Sequence, residues 1–371
     1  MTLGCSVCPE LALDEWGQEI VASLNGKRYP FGGVIELTDR CNLTCVHCYI
    51  NQPAGDQALK ARELTLEQVK TIIDQLADAG TLFLTLTGGE VLLRPDFSEI
   101  YMYARQRGML LTLFTNGTLI TERIAKLLAE SHPQLVEITL YGATKATYEK
   151  VTGIPGSFEK CLHGIQMLVE RKIPTALKTI LIRPNYHELA GMKDLSDKLG
   201  VPFRYDGILW PRLDKTGDMG EFQISSKELL DLDKKDPLRK TEWEKVARET
   251  TGQPIRAEFV YNCGAGMHSF HIDSMGRMSI CTMSRKPSFS LLEMSFMDAW
   301  EKLGTLRASK RQLKTACQTC TLGGLCFQCP GWSQAVHDDD ETPVDFVCEL
   351  AHLRYNEVTE RSIIFTEEMK L

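Results

Sequence analysis

Between residues 34 and 208, short β-rich runs alternate with amphipathic stretches of helical period, which restricts the chain to folds with parallel strands joined by helical crossovers. Six such units can be counted, with strands predicted at 34–37, 82–86, 110–114, 136–140, 176–182 and 203–208. The first crossover is the clearest. Thr65 and Gln68 have capping-box spacing, Leu66, Val69, Ile72, Ile73 and Leu76 share one face, and Gly80 follows as a stop. Such a stripe needs a sheet to cover. Six right-handed units predict an α/β fold, a partial (β/α)6 TIM-like barrel with its reactive loops at the strand C-terminal ends.

The 371 residues suffice for this domain and a smaller one. The predicted organisation is an N-terminal segment 1–33, the barrel at 34–210, a polar bridging region at 211–257 and a cysteine-rich region at 258–371. Helical pieces are predicted at 226–232 and 241–250, a hairpin at 269–272 and 277–280 around Ser274-Met275-Gly276, and a helix at 295–303. The formal charge of -7 opposes binding to a phosphate backbone, so no nucleic acid partner is expected. No run is long and apolar enough to span a bilayer and no export signal is evident, which predicts a cytoplasmic protein without a membrane partner.

In such a chain, thirteen cysteines point to metal or redox chemistry rather than disulfides. Three crowd into positions 41–48 and seven fall between 263 and 348. Cys41-x3-Cys45-x2-Cys48 directly follows the first predicted strand. Three thiolates can hold three corners of a cubic iron-sulfur cluster and leave one iron open to another ligand. A structural zinc loop is the alternative, although this is not a common zinc spacing.

Cys-x3-Cys-x-aromatic-Cys, with His47 at the aromatic position and Thr38, Asn42 and Tyr49 around it, resembles the signature of the radical S-adenosylmethionine (SAM) enzymes. The resemblance implies that the open iron of a 4Fe-4S cluster binds the amino and carboxylate groups of SAM. Reductive cleavage then releases a 5'-deoxyadenosyl radical that abstracts hydrogen from a substrate. Gly88-Gly89-Glu90 ends the second predicted strand and resembles the family loop that contacts the SAM amino group. Asn116 after the third strand, Tyr141-Gly142-Ala143 after the fourth and Asn185 after the fifth resemble further SAM-contacting regions. Arg204, Tyr205 and Asp206 lie on the sixth strand, where a barrel wall would face the reaction, and are candidates for substrate binding or for proton or hydrogen-atom donation.

Cys263-x12-Gly-x4-Cys281, Cys317-x2-Cys320-x5-Cys326-x2-Cys329 and Cys348 resemble the seven-cysteine SPASM extension of that family, except that the last pair has two intervening residues where three are usual. The resemblance implies two auxiliary iron-sulfur clusters of the 4Fe-4S type, one on Cys317, Cys320, Cys326 and Cys348, the other on Cys263, Cys281 and Cys329. The latter lacks a fourth ligand. His268, His271, Asp273 or the N-terminal Cys5-x2-Cys8 pair are candidates for that corner, or it is open.

SPASM enzymes resembling this chain mostly modify ribosomally made peptides, so a peptide substrate is expected, with an electron-donor protein such as a flavodoxin or ferredoxin. The 33 residues before the first strand are short for a leader-binding domain, which predicts a separate adaptor or recognition by the bridging and SPASM regions. Tetrapyrrole or other small-metabolite modification in the haem pathway, sulfatase maturation and, outside enzymes, a zinc-binding scaffold are the alternatives. Cys161 is expected to be a buried core residue, His132 and His163 ordinary helix or loop residues, and the acidic run 338–341 a solvated loop.

Overall fold

The computed structural model describes residues 26–50, 52–215, 219–250, 258–322 and 324–359. Cys5 and Cys8 lie outside the described residues. Six parallel strands, β1 (Gly32–Glu36), β2 (Phe83–Thr87), β3 (Leu110–Thr115), β4 (Leu135–Thr139), β5 (Thr175–Ile180) and β6 (Phe203–Asp206), stand side by side in sequence order. Each falls within two residues of its predicted bounds. Consecutive parallel neighbours require crossovers, and helices at Leu66–Asp78, Phe97–Gln106, Glu122–Glu130, Ser157–Glu170 and Leu189–Leu199 supply them.

The first helix starts as its sequence dictates. The Gln68 amide donates to Thr65 Oγ1 at 3.3 Å and the Thr65 amide to Gln68 Oε1 at 2.9 Å, while Val69, Ile72, Ile73 and Leu76 are buried against the sheet. Leu84, Leu86, Leu111, Leu113, Val136 and Ile138 join the same core. Side chains alternate along a strand, so neighbouring positions such as Thr87, Phe114 and Thr139 are left to line the other face, where a cavity opens. Cys161 is fully buried in the core, and His132 and His163 are exposed.

The sheet does not end at β1. The predicted hairpin forms, as β7 (Ser269–Ile272) and β8 (Arg277–Ser279), and β7 pairs in parallel with β1 from Gly32↔Ser269 to Ile35↔Ile272. With β9 (Phe289–Ser290) the order becomes β9-β8-β7-β1-β2-β3-β4-β5-β6. Asp273 makes the hairpin turn, accepting from the Met275 and Arg277 amides at 3.0 Å each and from Arg277 Nε at 2.6 Å. This spends Asp273 on the turn rather than on an open cluster corner.

Helices Ser226–Lys234 and Pro237–Thr250 pack against the helix Asp345–Thr359. Asp233, fully buried, accepts from Arg354 Nη2 at 2.9 Å, Arg239 Nη1 at 3.1 Å and Tyr205 Oη at 3.2 Å. The acidic run is a loop, solvated at Asp338 but pinned beyond it. Asp339 accepts from the Glu341 and Thr342 amides at 2.7 and 2.6 Å, and buried Glu341 accepts from the Gln312 amide at 2.8 Å. Among the described residues no helix is long and apolar enough to cross a membrane.

Candidate active site at the strand C-terminal ends

The chain leaving β1 is pinned before it reaches the cysteines. Arg40 makes a buried bidentate pair with Glu63, Nε to Oε1 at 2.7 Å and Nη2 to Oε2 at 3.1 Å, and Thr38 also donates to Glu63. Cys41, Cys45 and Cys48 then turn into one cavity of about 260 Å³. The Leu43 amide donates to Cys41 Sγ at 3.4 Å, and Asn116 Nδ2 reaches Asn42 Oδ1 at 3.0 Å and Cys41 Sγ at 3.7 Å. Asn116 therefore holds the cysteine loop from the end of β3.

The Gly88-Gly89-Glu90 loop enters from β2. Gly88 has φ +149°, and a Cβ there would stand 2.2 Å from the Thr38 carbonyl oxygen; one on Gly89 would stand 2.4 Å from that of Arg40. Only glycine permits this backbone-on-backbone approach. Gly88 and Gly89 line the cavity, whereas Glu90 is fully buried behind it. Its carboxylate accepts from the Asn116 amide and Thr115 Oγ1 at 2.7 Å each and from the Leu92 amide at 3.0 Å. In this geometry Glu90 clamps two loops together and is not itself at the cavity wall. Asn185 is also away from the wall. Its amide closes the turn after β5, donating to Ile180 O at 3.0 Å and accepting from the Ile182 amide at 2.8 Å.

His47 lines the cavity edge-on to Tyr141, with centroids 4.6 Å apart, and burial pushes the imidazole down to about 4. Its Nδ1 is buried without a hydrogen-bond partner. Tyr49 lies under the Arg285 guanidinium at 5.9 Å. On the opposite wall Asp206 is 8% exposed, with Oδ1 accepting from the Ile208 amide at 3.0 Å and Oδ2 buried and unpartnered. Trp210 stacks on Trp332 at 3.7 Å and leaves Nε1 likewise buried and unpartnered. Arg204 and Tyr205 both border the cavity, and the Tyr205 hydroxyl donates to Asp233 while its ring is covered by Arg239 at 3.9 Å. Period-two alternation puts Arg204 and Asp206 on one face of β6 and Tyr205 on the other, against the helices.

Residues 35–195 match the Radical SAM superfamily. That stretch is a radical SAM domain. An AdoMet-dependent heme synthase of Methanosarcina barkeri is 27% identical over 327 residues, covering 82% of this chain and 92% of that protein. The mycofactocin maturase MftC of Mycobacterium tuberculosis is 27% identical over 324 residues, covering 84% of this chain and 80% of that protein. The Streptococcus suis SuiB structure superposes with a TM-score of 0.66 at 17% identity, covering 90% of this chain and 81% of that one. It shares the fold.

Radical SAM enzymes bind SAM and a 4Fe-4S cluster, and the cavity fits that pair. Burial and then Glu90 push the Cys41 thiol up to about 12, while burial and then Cys48 and Cys41 push Cys45 well above the usual thiol range. Thiols that oppose one another's ionisation require metal charge among them to become thiolates together. Among the described residues no three His, Cys, Asp or Glu side chains converge to hold a single metal ion. A cubic cluster is larger than an ion, and its thiolates stand at corners rather than around one centre.

In the C-terminal region, burial and then Cys326, Cys320 and Cys317 push the Cys348 thiol up to about 12, so these three cysteines all lie on the side of Cys348. Burial first, and to a lesser extent Asp340, Cys281 and Cys263, push the Tyr261 hydroxyl above its ordinary range. His271 is turned to Ser279 Oγ, 2.9 Å from Nδ1, and to Glu36 Oε2, 3.4 Å from Nε2.

Sequence reasoning missed Glu137, Lys178, Trp210 and the Glu36–Arg285 pair. The first two carried a usable signal, because a charge inside a buried parallel strand is out of place unless it faces a polar interior.

Proposed function

We propose that this radical SAM enzyme modifies a ribosomally made peptide, in the cytoplasm, with Cys41, Cys45 and Cys48 holding the 4Fe-4S cluster. Gly88, Gly89, His47, Tyr49 and Asn116 border the SAM site, with Glu90 positioning its loops. When bound and reduced, such a cluster would supply the electron for SAM cleavage that begins radical chemistry on the substrate. The chain's own part is to orient the peptide and exclude water. The observation that carries the peptide reading is the pair of buried, unpartnered atoms at the end of β6, Asp206 Oδ2 as acceptor and Trp210 Nε1 as donor. A peptide group offers the complementary N–H and C=O, and leaving both atoms unsatisfied costs about 1–3 kcal/mol each. MftC is named a maturase, and SuiB has been solved with its precursor peptide SuiA, which supports the same reading.

Cys317, Cys320, Cys326 and Cys348 are assigned to one auxiliary cluster, and Cys263, Cys281 and Cys329 to a second. The bridging and C-terminal helices, or a separate adaptor, would receive the leader of the peptide, and a flavodoxin or ferredoxin would donate electrons. Anaerobically purified protein is expected to hold about twelve iron atoms per chain. With a chemical reductant it is expected to cleave SAM, and alanine at Cys41, Cys45 and Cys48 to abolish cleavage. A colourless protein with zinc and no sulfide overturns the assignment. Haem-pathway chemistry is the second reading, favoured by the heme synthase relative. Turnover of a tetrapyrrole with no peptide product would select it.

A further inference from the structure

β6 leaves the barrel with two unmet polar atoms on one wall of the cavity. Asp206 and Trp210 line the space at 8% and 6% exposure, and Asp206 Oδ2, an acceptor, and Trp210 Nε1, a donor, are both buried without a hydrogen-bond partner. Their backbone is held from outside the lining. Gln223 Oε1 accepts from the Leu209 amide at 2.7 Å, Gln223 Nε2 donates to Gly207 O at 2.8 Å, and a Cβ on Gly207 would stand 2.3 Å from Leu229. The Trp210 ring is fixed by Trp332, with centroids 3.7 Å and planes 14° apart. The helix that carries Trp332, Pro330–His337, packs its Gly331 against Met283, which is also on the lining. Two preset atoms of opposite polarity therefore stand on the lining beside the buried apolar side chains of Ile208, Leu209 and Met283.

This combination selects a ligand class. An ammonium would satisfy the acceptor alone, and a carboxylate would satisfy the donor alone while meeting the Asp206 charge. Arg354, buried outside the lining, already acts electrostatically on Asp206, so the unmet need at Oδ2 is a directed N–H rather than a charge. In an extended peptide the N–H and C=O of one residue point to the same side, as they do in a hydrogen-bonded strand pair. We infer that Asp206 and Trp210 are specificity-determining residues that hold one residue of an extended substrate peptide, its N–H on Asp206 and its C=O on Trp210, with an apolar side chain against Ile208, Leu209 and Met283. This rests on the peptide reading and adds that the N–H is required, which excludes proline and N-alkylated residues from the held position.

The test is titration calorimetry on anaerobic, SAM-loaded holoenzyme with three probes. N-acetylleucine dimethylamide carries a single N–H, its N-methylleucine counterpart carries none, and N-acetylserine dimethylamide exchanges the apolar side chain for a hydroxyl. The leucine probe is expected to bind about ten-fold tighter than either of the others. In Asp206→Asn the oxygen stays with the Ile208 amide and the NH2 takes the place of Oδ2, so the advantage over the N-methyl probe is expected to vanish with SAM affinity unchanged. Trp210→Phe keeps the stack and is expected to weaken both leucine probes about five-fold, since each retains the carbonyl. If the wild-type protein shows no preference for leucine over its N-methyl counterpart, or none over serine, the inference is overturned and the peptide reading stands. Binding of no probe overturns both. A loss of SAM affinity in Asp206→Asn assigns the carboxylate to SAM and overturns the inference, and the wild-type comparison decides the matter even if a variant fails to fold.

Discussion

Glu36 and Arg285, 249 positions apart in sequence, meet inside the barrel mouth as a bidentate pair at 2.8 and 2.6 Å. Burial raises the Glu36 carboxyl, but Arg285 and then His271 outweigh it and hold the group well below the usual carboxylate range. Arg285 Nε also donates to Thr282 O at 2.7 Å, next to Cys281, and its guanidinium covers Tyr49, next to Cys48. One buried pair thus positions both cysteine regions. Glu36→Gln is expected to cost about 3–5 kcal/mol in anaerobic thermal unfolding, because it leaves a buried guanidinium uncompensated. A Glu36→Leu, Arg285→Leu double variant is expected to be less damaged than either single change; a fully additive loss would contradict this account.

Glu90 joins the Gly88-Gly89 loop to the end of β3. Glu90→Ala is expected to lower both stability and SAM affinity, since it strands the Asn116 and Leu92 amides at about 1–3 kcal/mol each. Equilibrium dialysis with SAM and thermal unfolding should fall together. If SAM binding fell with stability intact, Glu90 would be a direct contact and not a clamp.

Glycine substitutions should separate close approach from backbone preference. Gly88→Ala is expected to abolish SAM binding, because the new methyl would meet the Thr38 carbonyl oxygen at 2.2 Å and this backbone cannot shift without moving β1. Gly108 also has positive φ, +83°, but no atom lies within 4 Å of the added methyl, so Gly108→Ala is expected to cost only about 1–2 kcal/mol and to leave SAM binding unchanged. Solubility, SAM dialysis and melting temperature check the pair.

Lys178 gives a pH prediction. Burial pushes its ammonium down to about 8, against the pull of Glu137 and with the push of Arg204, from an ordinary value of 10.5. Between those values the unfolded chain holds the proton and the folded chain does not, so this group's contribution to stability rises with pH across that window. The melting temperature of the wild-type protein, compared with that of Lys178→Met, is therefore expected to gain between about pH 8 and about pH 10. Lys178→Arg, which keeps its charge in both states, should lose that gain, and thermal unfolding across pH 7 to about 10 reads it.

Much of the scaffold was legible because local signals coincided. Thr65 and Gln68 mark a helix start, and Cys41, Gly88 and Asn116 each follow a strand of recognisable composition. What was illegible depends on chain segments meeting from afar. Nothing in Ser269–Ile272 names β1 as its partner, and Arg285 shows no sign of Glu36. Tyr205 was legible in principle, because strict alternation separates it from Arg204 and Asp206, whereas Asn185 and Glu90 have the right sequence position but spend their polar atoms on the loops themselves.

The pairing of β1 with β7 has a consequence for how the protein is made. During synthesis β1 leaves the ribosome more than two hundred residues before the strand that covers its free edge. Until Ser269–Ile272 arrives, the nascent barrel carries an open row of amides and carbonyls beside three cluster-loop thiols. A nascent chain stalled near residue 257 would therefore be prone to edge-to-edge association, and completing the C-terminal region closes that edge as it delivers the second group of cysteines.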